Sequence, residues 1–379
     1  MAGIYIHIPF CKQACHYCDF HFSTALKQKD AFLNALNKEI AMQKNFFNEN
    51  NIELNTVYFG GGTPSLLNAA EINSIFDTLK MCFVISKDAE ITLEANPDDL
   101  TKDKIAELKT TAVNRLSIGI QSFRDEDLKL MNRAHSSEMA LSSVKEAIKA
   151  GYNNISIDLI YGIPGLSKQA WLENLQKAFD LNVNHISAYC LTVEPKTALE
   201  NYIKKGKIKN LDEEQAAVQF EIMLEQMQKH DFIQYEISNF CKKACHSKHN
   251  SNYWRGEKYL GLGPSAHSFD GKNRQWNINK NTSYIKSINE EIIPYEREEL
   301  TREKRFNEYM LTSLRTIWGA NLGFVERNFG QKYLNHCIKE NIKHLNNNHT
   351  FILENKICLT QQGKLFADAV ASGFFIIED

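Results

Sequence analysis

YIHIPFCKQACHYCDF, residues 5–20, is the stretch that decides the fold. A short apolar strand, 4–8, runs into it and ends at Pro9, which has no N–H for a sheet ladder. Cys11, Cys15 and Cys18 follow on a short loop in a C-x3-C-x2-C pattern, so their sulfurs can converge on one point. Converging thiolates at the end of a strand are typical of a soft-metal site.

The number of cysteines in this loop favours an iron–sulfur cluster over structural zinc. Structural zinc sites close with four protein ligands, and ferredoxin clusters are also held by four. Here the local count is three, and Phe20 stands where a fourth ligand could be. A [4Fe–4S] cluster held by three cysteines leaves one iron open to a substrate or cofactor. The alternative is three reduced thiols without a function.

Bulk properties narrow the class of protein. The chain of 379 residues has a net charge of −2, which gives no indication of binding to nucleic acid or to a membrane surface. No apolar run is long enough to span a bilayer, and Met1 leads directly into the first strand, which leaves no room for a signal peptide. The odd number of nine cysteines and a cluster loop that needs reduced thiols predict a cytoplasmic protein.

Six apolar segments alternate with helical periodicity through the first half of the chain. The predicted strands are 4–8, 55–60, 89–95, 115–120, 154–160 and 185–191. The predicted helices between them are 29–48, 69–82, 102–112, 137–150 and 168–180. This alternation predicts an α/β fold, a partial (β/α)6 barrel whose functional residues collect at the carboxyl ends of the strands.

The second half of the chain changes character. After a helix at 211–229 and a strand at 234–238 comes a glycine- and aromatic-rich segment, 249–269. Further helices are predicted at 306–314, 322–329, 333–345 and 361–371, with a hairpin around Asn355 over 351–359. We therefore predict a core, 1–295, and a mostly helical, winged-helix-like domain, 296–379, whose unremarkable charge gives no indication of DNA binding.

Three motifs at strand ends carry candidate ligand contacts. The glycines of GGGTP, 60–64, indicate either a tight turn or backbone that approaches a ligand at a helix N-terminus. Glu94 in EANP, 94–97, is either a ligand contact or a structural ion-pair partner. Asp158 lies within an apolar strand, which is costly without a partner.

The three-cysteine pattern resembles that of the radical S-adenosylmethionine (SAM) superfamily. The resemblance implies a cluster whose open iron is chelated by SAM, with electron transfer that cleaves SAM to a 5′-deoxyadenosyl radical. It also implies that Asp158 is satisfied by a ribose hydroxyl or by Arg133. By position it assigns SAM contacts to Tyr5, Tyr17, Gly61, Gly62, Thr63, Glu94, Gln121, Arg133 and Asp158.

Further motifs narrow the resemblance to one family. With YIHIPFC at 5–11, SIGIQSF at 117–123 and DLIYGIPG at 158–165, the chain looks like the oxygen-independent coproporphyrinogen III oxidase-like family over nearly its whole length. The dehydrogenases of that family carry a fourth cysteine where this chain has Phe20, and an N-terminal extension ahead of the first strand. The enzyme, an oxidative decarboxylase of porphyrin biosynthesis, is thus the alternative rather than the preferred function.

HNSNYW, 249–254, resembles the signature of the haem-chaperone branch of this family. That resemblance implies a chaperone without dehydrogenase activity, with His249 ligating the haem iron and Tyr253 and Trp254 against the porphyrin. It also implies delivery of haem to haemoproteins, such as respiratory proteins at the membrane, and cluster-dependent homodimerisation.

Other histidines and cysteines leave alternatives open. By composition alone, a single histidine such as His249 beside aromatic residues is more often a hydrogen-bonded core residue than a ligand. Cys241, Cys245 and His249 recur at four-residue steps and could form a second metal site if they shared a helix. His267 is either a second haem or pocket residue or a structural histidine.

Overall fold

The centre of the protein is a sheet of six parallel strands in chain order. The computed structural model describes residues 2–47 and 52–377. The strands are β1 (Ala2–Ile8), β2 (Glu53–Gly61), β3 (Val84–Ala95), β4 (Arg115–Gln121), β5 (Ile155–Tyr161) and β6 (His185–Cys190). The α/β fold with a mostly parallel sheet is therefore confirmed, and only β3 begins more than two residues from its predicted start.

Helices join these strands and cover their outward faces. They are α1 (Lys29–Met42), α2 (Ala69–Cys82), α3 (Lys102–Leu108), α4 (Asp125–Leu130), α5 (Ser137–Lys149), α6 (Lys168–Asp180), α7 (Ala198–Lys204) and α8 (Glu213–Lys229). The bounds predicted for α2 and α6 are confirmed, whereas α4 and α7 were not predicted. The predicted first helix ends early, at Met42, and its predicted last residue, Asn48, lies outside the described residues.

Side-chain caps fix where most of these helices begin, because their oxygens accept the free N–H groups of the first turn. At α2, Asn68 and Glu71 form a reciprocal capping box. The capping residues are Asn68, Thr101, Ser136, Ser167, Thr197 and Asp212.

Alternation along β1 separates the hydrophobic core from the candidate site. Ile4, Ile6 and Ile8 are fully buried in the apolar core, whereas Tyr5 and His7 point to the opposite face, as the period of two requires. The inner face of the curved sheet is thereby left for polar side chains.

Additional strands widen the sheet on both sides. They are β7 (Ile233–Gln234), β8 (Asn239–Cys241), β9 (Lys258–Leu262), β10 (His267–Phe269), β11 (Asn273–Asn277) and β12 (Tyr295–Glu299). β8 lies antiparallel to β6, whereas β9 lies parallel to β1 and leads into β10, β11 and β12. Two helices, α9 (Lys248–Trp254) and α10 (Asn281–Asn289), lie between these strands in the chain.

The prediction of one strand over 234–238 is wrong. β7 and β8 form a short hairpin there, because the carboxylate of Glu236 accepts the Ser238 N–H at 3.2 Å and holds the chain in a turn. A hydrogen bond from the Tyr235 N–H to the Asn239 carbonyl, 3.1 Å, closes the same turn.

The C-terminal part is a helical module with a small sheet. Its elements are α11 (Arg302–Leu314), β13 (Ala320–Asn321), α12 (Leu322–Phe329), α13 (Gln331–Asn346), β14 (Thr350–Leu353), β15 (Lys356–Leu359), α14 (Gln361–Leu365) and α15 (Ala367–Ser372). Glu354 and Asn355 both have positive φ, 47° and 62°, which is the geometry of a two-residue hairpin turn at the predicted place. The single helix predicted over 361–371 is divided at Phe366.

This module has its own apolar core, formed by residues such as Phe306, Met310 and Val325. The predicted boundary between 295 and 296 coincides with the start of β12, which pairs with β11 in the large sheet. The division at that boundary stays a prediction. Among the described residues, no helix combines the length and the apolar character needed to cross a bilayer.

Candidate functional site

The inner face of the parallel sheet forms a polar cavity of about 240 Å³. Five residues that the sequence marked as site residues line it together, although they come from distant parts of the chain. They are Tyr5, Glu94, Asp158, His249 and Tyr253. Buried polar side chains that the sequence analysis did not single out complete the lining, among them Arg115, Ser187 and Tyr58.

The cysteine loop is held in place by its backbone. The Cys11 N–H donates to the Ser23 carbonyl at 3.0 Å, and the Ser23 N–H donates to the Pro9 carbonyl at 2.9 Å. Farther along the loop, the His16 N–H donates to the Met131 carbonyl just after α4, at 3.0 Å. The loop is thus fixed both to the segment that follows it and to the end of α4.

The three thiols are partly buried next to one another. Burial raises the pKa of the Cys11 thiol, and it raises that of Cys18 to about 11, with neighbouring cysteines adding to both rises. Within residues 2–47 and 52–377, no three histidine, cysteine or acidic side chains are already gathered at metal-binding distances. Three soft thiols on one fixed loop nevertheless fit a cluster with an open iron, and Phe20, 68% exposed, supplies no fourth ligand.

Arg133 joins the cysteine loop to the ends of two strands. Its Nη1 donates to the Cys15 sulfur at 3.2 Å, and its Nη2 donates to Asn96 Oδ1 at 2.7 Å and to the Gly119 carbonyl at 2.8 Å. Its Nε–H is buried without a hydrogen-bond partner in the part of the chain that the structure describes. A guanidinium with a free donor beside three thiols fits a ligand with acceptor groups. Asn96 is a site residue that the sequence analysis missed, although it lies in the EANP motif.

Gln121 and Tyr17 lie around the same guanidinium. Gln121 ends β4 with φ of 69°, a conformation that side chains rarely adopt. Its amide nitrogen is so close to Gly119 that a Cβ there would approach it to 2.9 Å. Burial raises the pKa of Tyr17, and the nearby Arg133 opposes that rise. Both residues therefore lie near Arg133, and their role as SAM contacts stays a prediction.

The triple glycine makes a tight turn against the cysteine strand. Gly61 has φ of 106°, and a Cβ at Gly62 would lie 2.6 Å from the Phe10 carbonyl oxygen. The Gly62 N–H donates to the Ile8 carbonyl at 2.9 Å, and the Thr63 N–H donates to the Phe10 carbonyl at 2.7 Å. Glycine is therefore required at this turn because its backbone lies against the backbone of the segment that precedes Cys11.

Two carboxyl groups in the polar cavity are held largely by neutral donors. Tyr58 donates to Glu94 Oε1 at 2.7 Å, and the Gly61 N–H donates to Glu94 Oε2 at 3.1 Å. Burial raises the pKa of Glu94 to about 7 and that of Asp158 to about 6. Ser187 and Arg115 lie near Asp158 and favour its ionised form, which opposes this rise. Both acids can therefore change charge when a cationic ligand enters.

Replacing Glu94 by glutamine should change how the stability of the ligand-free protein depends on pH. Because the pKa of Glu94 is raised on folding, the folded protein holds this proton more tightly, and stability falls as pH rises from about 4.5 to about 7. The raised pKa corresponds to a loss of roughly 3 kcal/mol in the free energy of unfolding at high pH. Glu94→Gln should regain this stability at pH 8 but not at pH 4. Denaturant unfolding across this range measures it.

The matched control for that experiment is Asp77→Asn. Asp77 pairs with Lys80 on the surface, and its side chain is 71% accessible. Asp77→Asn should leave the pH profile unchanged. If the free energies of unfolding of Glu94→Gln and of the unaltered protein differed by the same amount at every pH, the pH dependence of stability could not be assigned to Glu94.

His249 is buried and hydrogen-bonded on both sides of its ring. Its Nδ1 lies 2.8 Å from Thr56 Oγ1, and its Nε2 lies 2.9 Å from the Tyr253 hydroxyl. The ring stacks on Tyr58 with centroids 4.9 Å apart, and burial lowers its pKa to about 3. Glu90 accepts the His249 N–H at 3.0 Å and so fixes the start of α9. In this conformation His249 has the environment of a structural histidine, and it could ligate iron only if Tyr253 released Nε2.

A second, larger cavity of about 1000 Å³ opens between the sheet and the C-terminal module. The cysteine loop contributes Asp19, Phe20 and His21 to its wall, and α9 contributes Tyr253 and Trp254. The C-terminal module contributes aromatic residues such as Trp318 and Phe324. His249 does not line this cavity, whereas His267 does. Cysteine loop, α9 and C-terminal module therefore meet around one ligand-sized space.

The proposed alternative metal site at Cys241, Cys245 and His249 is wrong. Cys241 ends β8 and α9 begins only at Lys248, so the four-residue spacing does not place the three on one helix. His249 instead packs against β1 and β2.

A six-stranded parallel sheet that carries three loop cysteines at its first strand defines the class as radical SAM proteins. The family model described as Radical SAM superfamily matches residues 5–178. The structure is also similar to the solved Escherichia coli coproporphyrinogen III oxidase, with a TM-score of 0.86 over 99% of this chain and 90% of that one. At 23% identity, that likeness shows the fold alone.

Sequence comparison gives the particular family. The chain is 36% identical to the protein of Bacillus subtilis named heme chaperone HemW, over 99% of both chains. It is 32% identical to a Mycobacterium tuberculosis protein of the same name, over 97% of this chain and 93% of the relative. The chain therefore belongs to the HemW family.

Proposed function

We propose that the protein is a haem chaperone that binds haem beside a SAM-ligated [4Fe–4S] cluster and hands it to haemoproteins. The observation that carries the proposal is the cavity of about 1000 Å³, which joins the cysteine loop to the aromatic residues of α9 and of the C-terminal module. The name heme chaperone HemW of relatives at 32% and 36% identity supports it.

Cys11, Cys15 and Cys18 are the proposed cluster ligands. SAM would lie next to them, against Arg133 and the polar cavity. The residues proposed to bind it are Tyr5, Tyr17, Gly61, Gly62, Thr63, Glu94, Gln121, Arg133 and Asp158. A cluster of this kind supplies one-electron chemistry and an open iron for SAM.

The protein's own residues bind and orient these groups. The Arg133 guanidinium, with its unused Nε–H, would donate to SAM or the cluster, and Glu94 and Asp158 would ionise against the positive charge of SAM. Tyr5 stacks on Tyr58 with ring centroids 6.1 Å apart, and both side chains line the inner cavity.

Haem would lie in the large cavity. Tyr253 and Trp254 offer flat surfaces to the porphyrin, as the HNSNYW motif suggested. Ligation by His249, the prediction from that motif, requires Tyr253 to move, because the Tyr253 hydroxyl lies 2.9 Å from Nε2. The propionates would meet the guanidinium groups of Arg255 and Arg305 at the cavity wall.

Release to a recipient would use the same open cavity. We propose recipient haemoproteins that include membrane-bound respiratory proteins, a cytoplasmic location, and a homodimer in the loaded state. Phe20, which is 68% exposed at the edge of the cysteine loop, is a suitable contact for a second molecule.

Anaerobic reconstitution tests this proposal against the enzyme of the same fold. We expect the reconstituted protein to take up haem with a stable Soret band and to form no decarboxylated product from coproporphyrinogen III and SAM. Protoporphyrinogen formed in step with 5′-deoxyadenosine would make the protein an enzyme despite Phe20. Failure to take up haem at all would reject the chaperone.

A further inference from the structure

We propose that Thr56 is a positioning residue for haem binding: its hydroxyl holds Nδ1 of His249 and leaves Nε2 as the nitrogen that binds the haem iron. This inference rests on the proposed haem function and adds to it a residue outside the HNSNYW motif. Thr56 lies on β2 and is fully buried, 193 positions before His249 in the sequence. Its Oγ1 lies 2.8 Å from Nδ1 of the imidazole.

Three residues of neighbouring strands hold His249 in place. Gly3 of β1, Thr56 of β2 and Glu90 of β3 are paired at the same level of the sheet. Glu90 accepts the backbone N–H of His249 at 3.0 Å, whereas Thr56 contacts its ring. A Cβ at Gly3 would lie 2.5 Å from Thr56 Oγ1 and 3.4 Å from Nδ1, so the absence of a side chain there makes room for this contact. Backbone and ring of His249 are thus both fixed to the parallel sheet.

The two ring nitrogens of His249 face different parts of the molecule. Nδ1 faces Thr56 on the sheet, whereas Nε2 lies 2.9 Å from the hydroxyl of Tyr253. Tyr253 lines both the polar cavity and the large cavity, so its side chain lies between Nε2 and the space proposed for haem. The contact with Tyr253 is therefore the one that haem iron replaces, while the contact with Thr56 is kept.

Binding of iron fixes the position of the imidazole proton. Iron takes the lone pair of one nitrogen of a neutral imidazole, so the proton stays on the other nitrogen. When Nε2 binds iron, the buried Nδ1–H needs an acceptor, and Thr56 Oγ1 lies at hydrogen-bond distance. Such outer partners fix the orientation of a ligating histidine and raise its basicity. Thr56 lines neither cavity, so it acts on haem through His249.

Haem titration and redox potentiometry of the purified full-length protein test the inference. Thr56→Val removes the hydroxyl and keeps the shape of the side chain, whereas Thr56→Ser keeps the hydroxyl. We expect Thr56→Val to bind ferric haem about tenfold more weakly, as for other lost outer partners. The midpoint potential of its bound haem should rise, because a less basic imidazole stabilises ferric iron less. Thr56→Ser should restore both values, and His249→Ala should lose the spectrum of histidine-ligated haem.

Thr92→Val is the matched control. Thr92 is fully buried on β3, and its hydroxyl has no hydrogen-bond partner among the described residues. The same substitution there should leave the haem affinity and the midpoint potential unchanged. If Thr92→Val changed both as much as Thr56→Val does, the effect would not come from the contact with His249, and the inference would be rejected.

The outcomes separate this inference from the function on which it rests. If the unaltered protein binds no haem, the chaperone proposal fails and the inference fails with it. If it binds haem through His249 and Thr56→Val keeps its affinity and potential, Thr56 is not a positioning residue and the chaperone proposal stands. If His249→Ala keeps the spectrum of the unaltered protein, another residue ligates the iron and only the inference fails.

A second measurement decides the case in which thermal unfolding shows that Thr56→Val is not folded. Proton NMR of the unaltered protein loaded with haem detects the Nδ1–H of the ligating histidine. Slow exchange of this proton with water is expected, because it is buried and donated to Thr56. Rapid exchange, or a proton on Nε2 instead, would overturn the inference.

Discussion

Replacing Cys15 by alanine should remove the cluster completely. Three cysteines of the loop are the proposed ligands of the [4Fe–4S] cluster, and one of them, Cys15, contacts Arg133. The loss of one thiol leaves two ligands for a cluster that needs three. Iron bound after anaerobic reconstitution should fall from about four atoms per chain to nearly none, with loss of the charge-transfer absorption. The same result is expected for Cys11→Ala and Cys18→Ala.

The loop itself should survive these substitutions, because backbone hydrogen bonds hold it. The Cys11 N–H to Ser23 carbonyl bond of 3.0 Å does not involve the thiol. Cys82→Ala, at the end of α2, is the matched control and should keep its iron and absorption. Full iron content in Cys15→Ala would mean that the cluster is held elsewhere.

The fold could be predicted because its signals are local. Apolar patterns place the six parallel strands, and side-chain caps fix the starts of α2 and α6, the two helices that were predicted to the residue. The short strands β9 to β12 were missed, since segments of three to five residues are stabilised by pairing with distant strands and carry little signal of their own.

The candidate site could be predicted only in part, because a motif specifies residues and not their partners. HNSNYW marked His249 as a ligand candidate, but its ring is bonded to Thr56, which is 193 positions away in the sequence. Asn96 was likewise visible in EANP, but its bond to Arg133 depends on how β3 and the end of α4 come together.

Replacing Arg133 by alanine should both destabilise the protein and weaken SAM binding. Its guanidinium donates to Cys15 Sγ, to Asn96 Oδ1 and to the Gly119 carbonyl, so its loss leaves three acceptors without their donor. Hydrogen bonds from charged donors contribute about 1.5–3 kcal/mol each, and they do not add fully. We expect the free energy of unfolding to fall by about 3 kcal/mol and the dissociation constant for SAM to rise by at least about tenfold, measured by denaturant unfolding and by equilibrium binding to the reconstituted protein.

Arg133→Lys separates the charge from the geometry of this contact. Lysine keeps the positive charge but presents one ammonium group, which cannot reach a sulfur, an amide and a carbonyl in the planar arrangement of a guanidinium. We therefore expect Arg133→Lys to lose at least half of the stability that Arg133→Ala loses. Arg297→Ala, which removes a surface ion pair to Asp270 of 3.0 Å, should cost less than about 1 kcal/mol and leave SAM binding unchanged. If Arg133→Lys had the stability and the SAM affinity of the unaltered protein, a positive charge alone would be sufficient at this position. The three directional hydrogen bonds would then not be needed to hold the cysteine loop against the neighbouring strands.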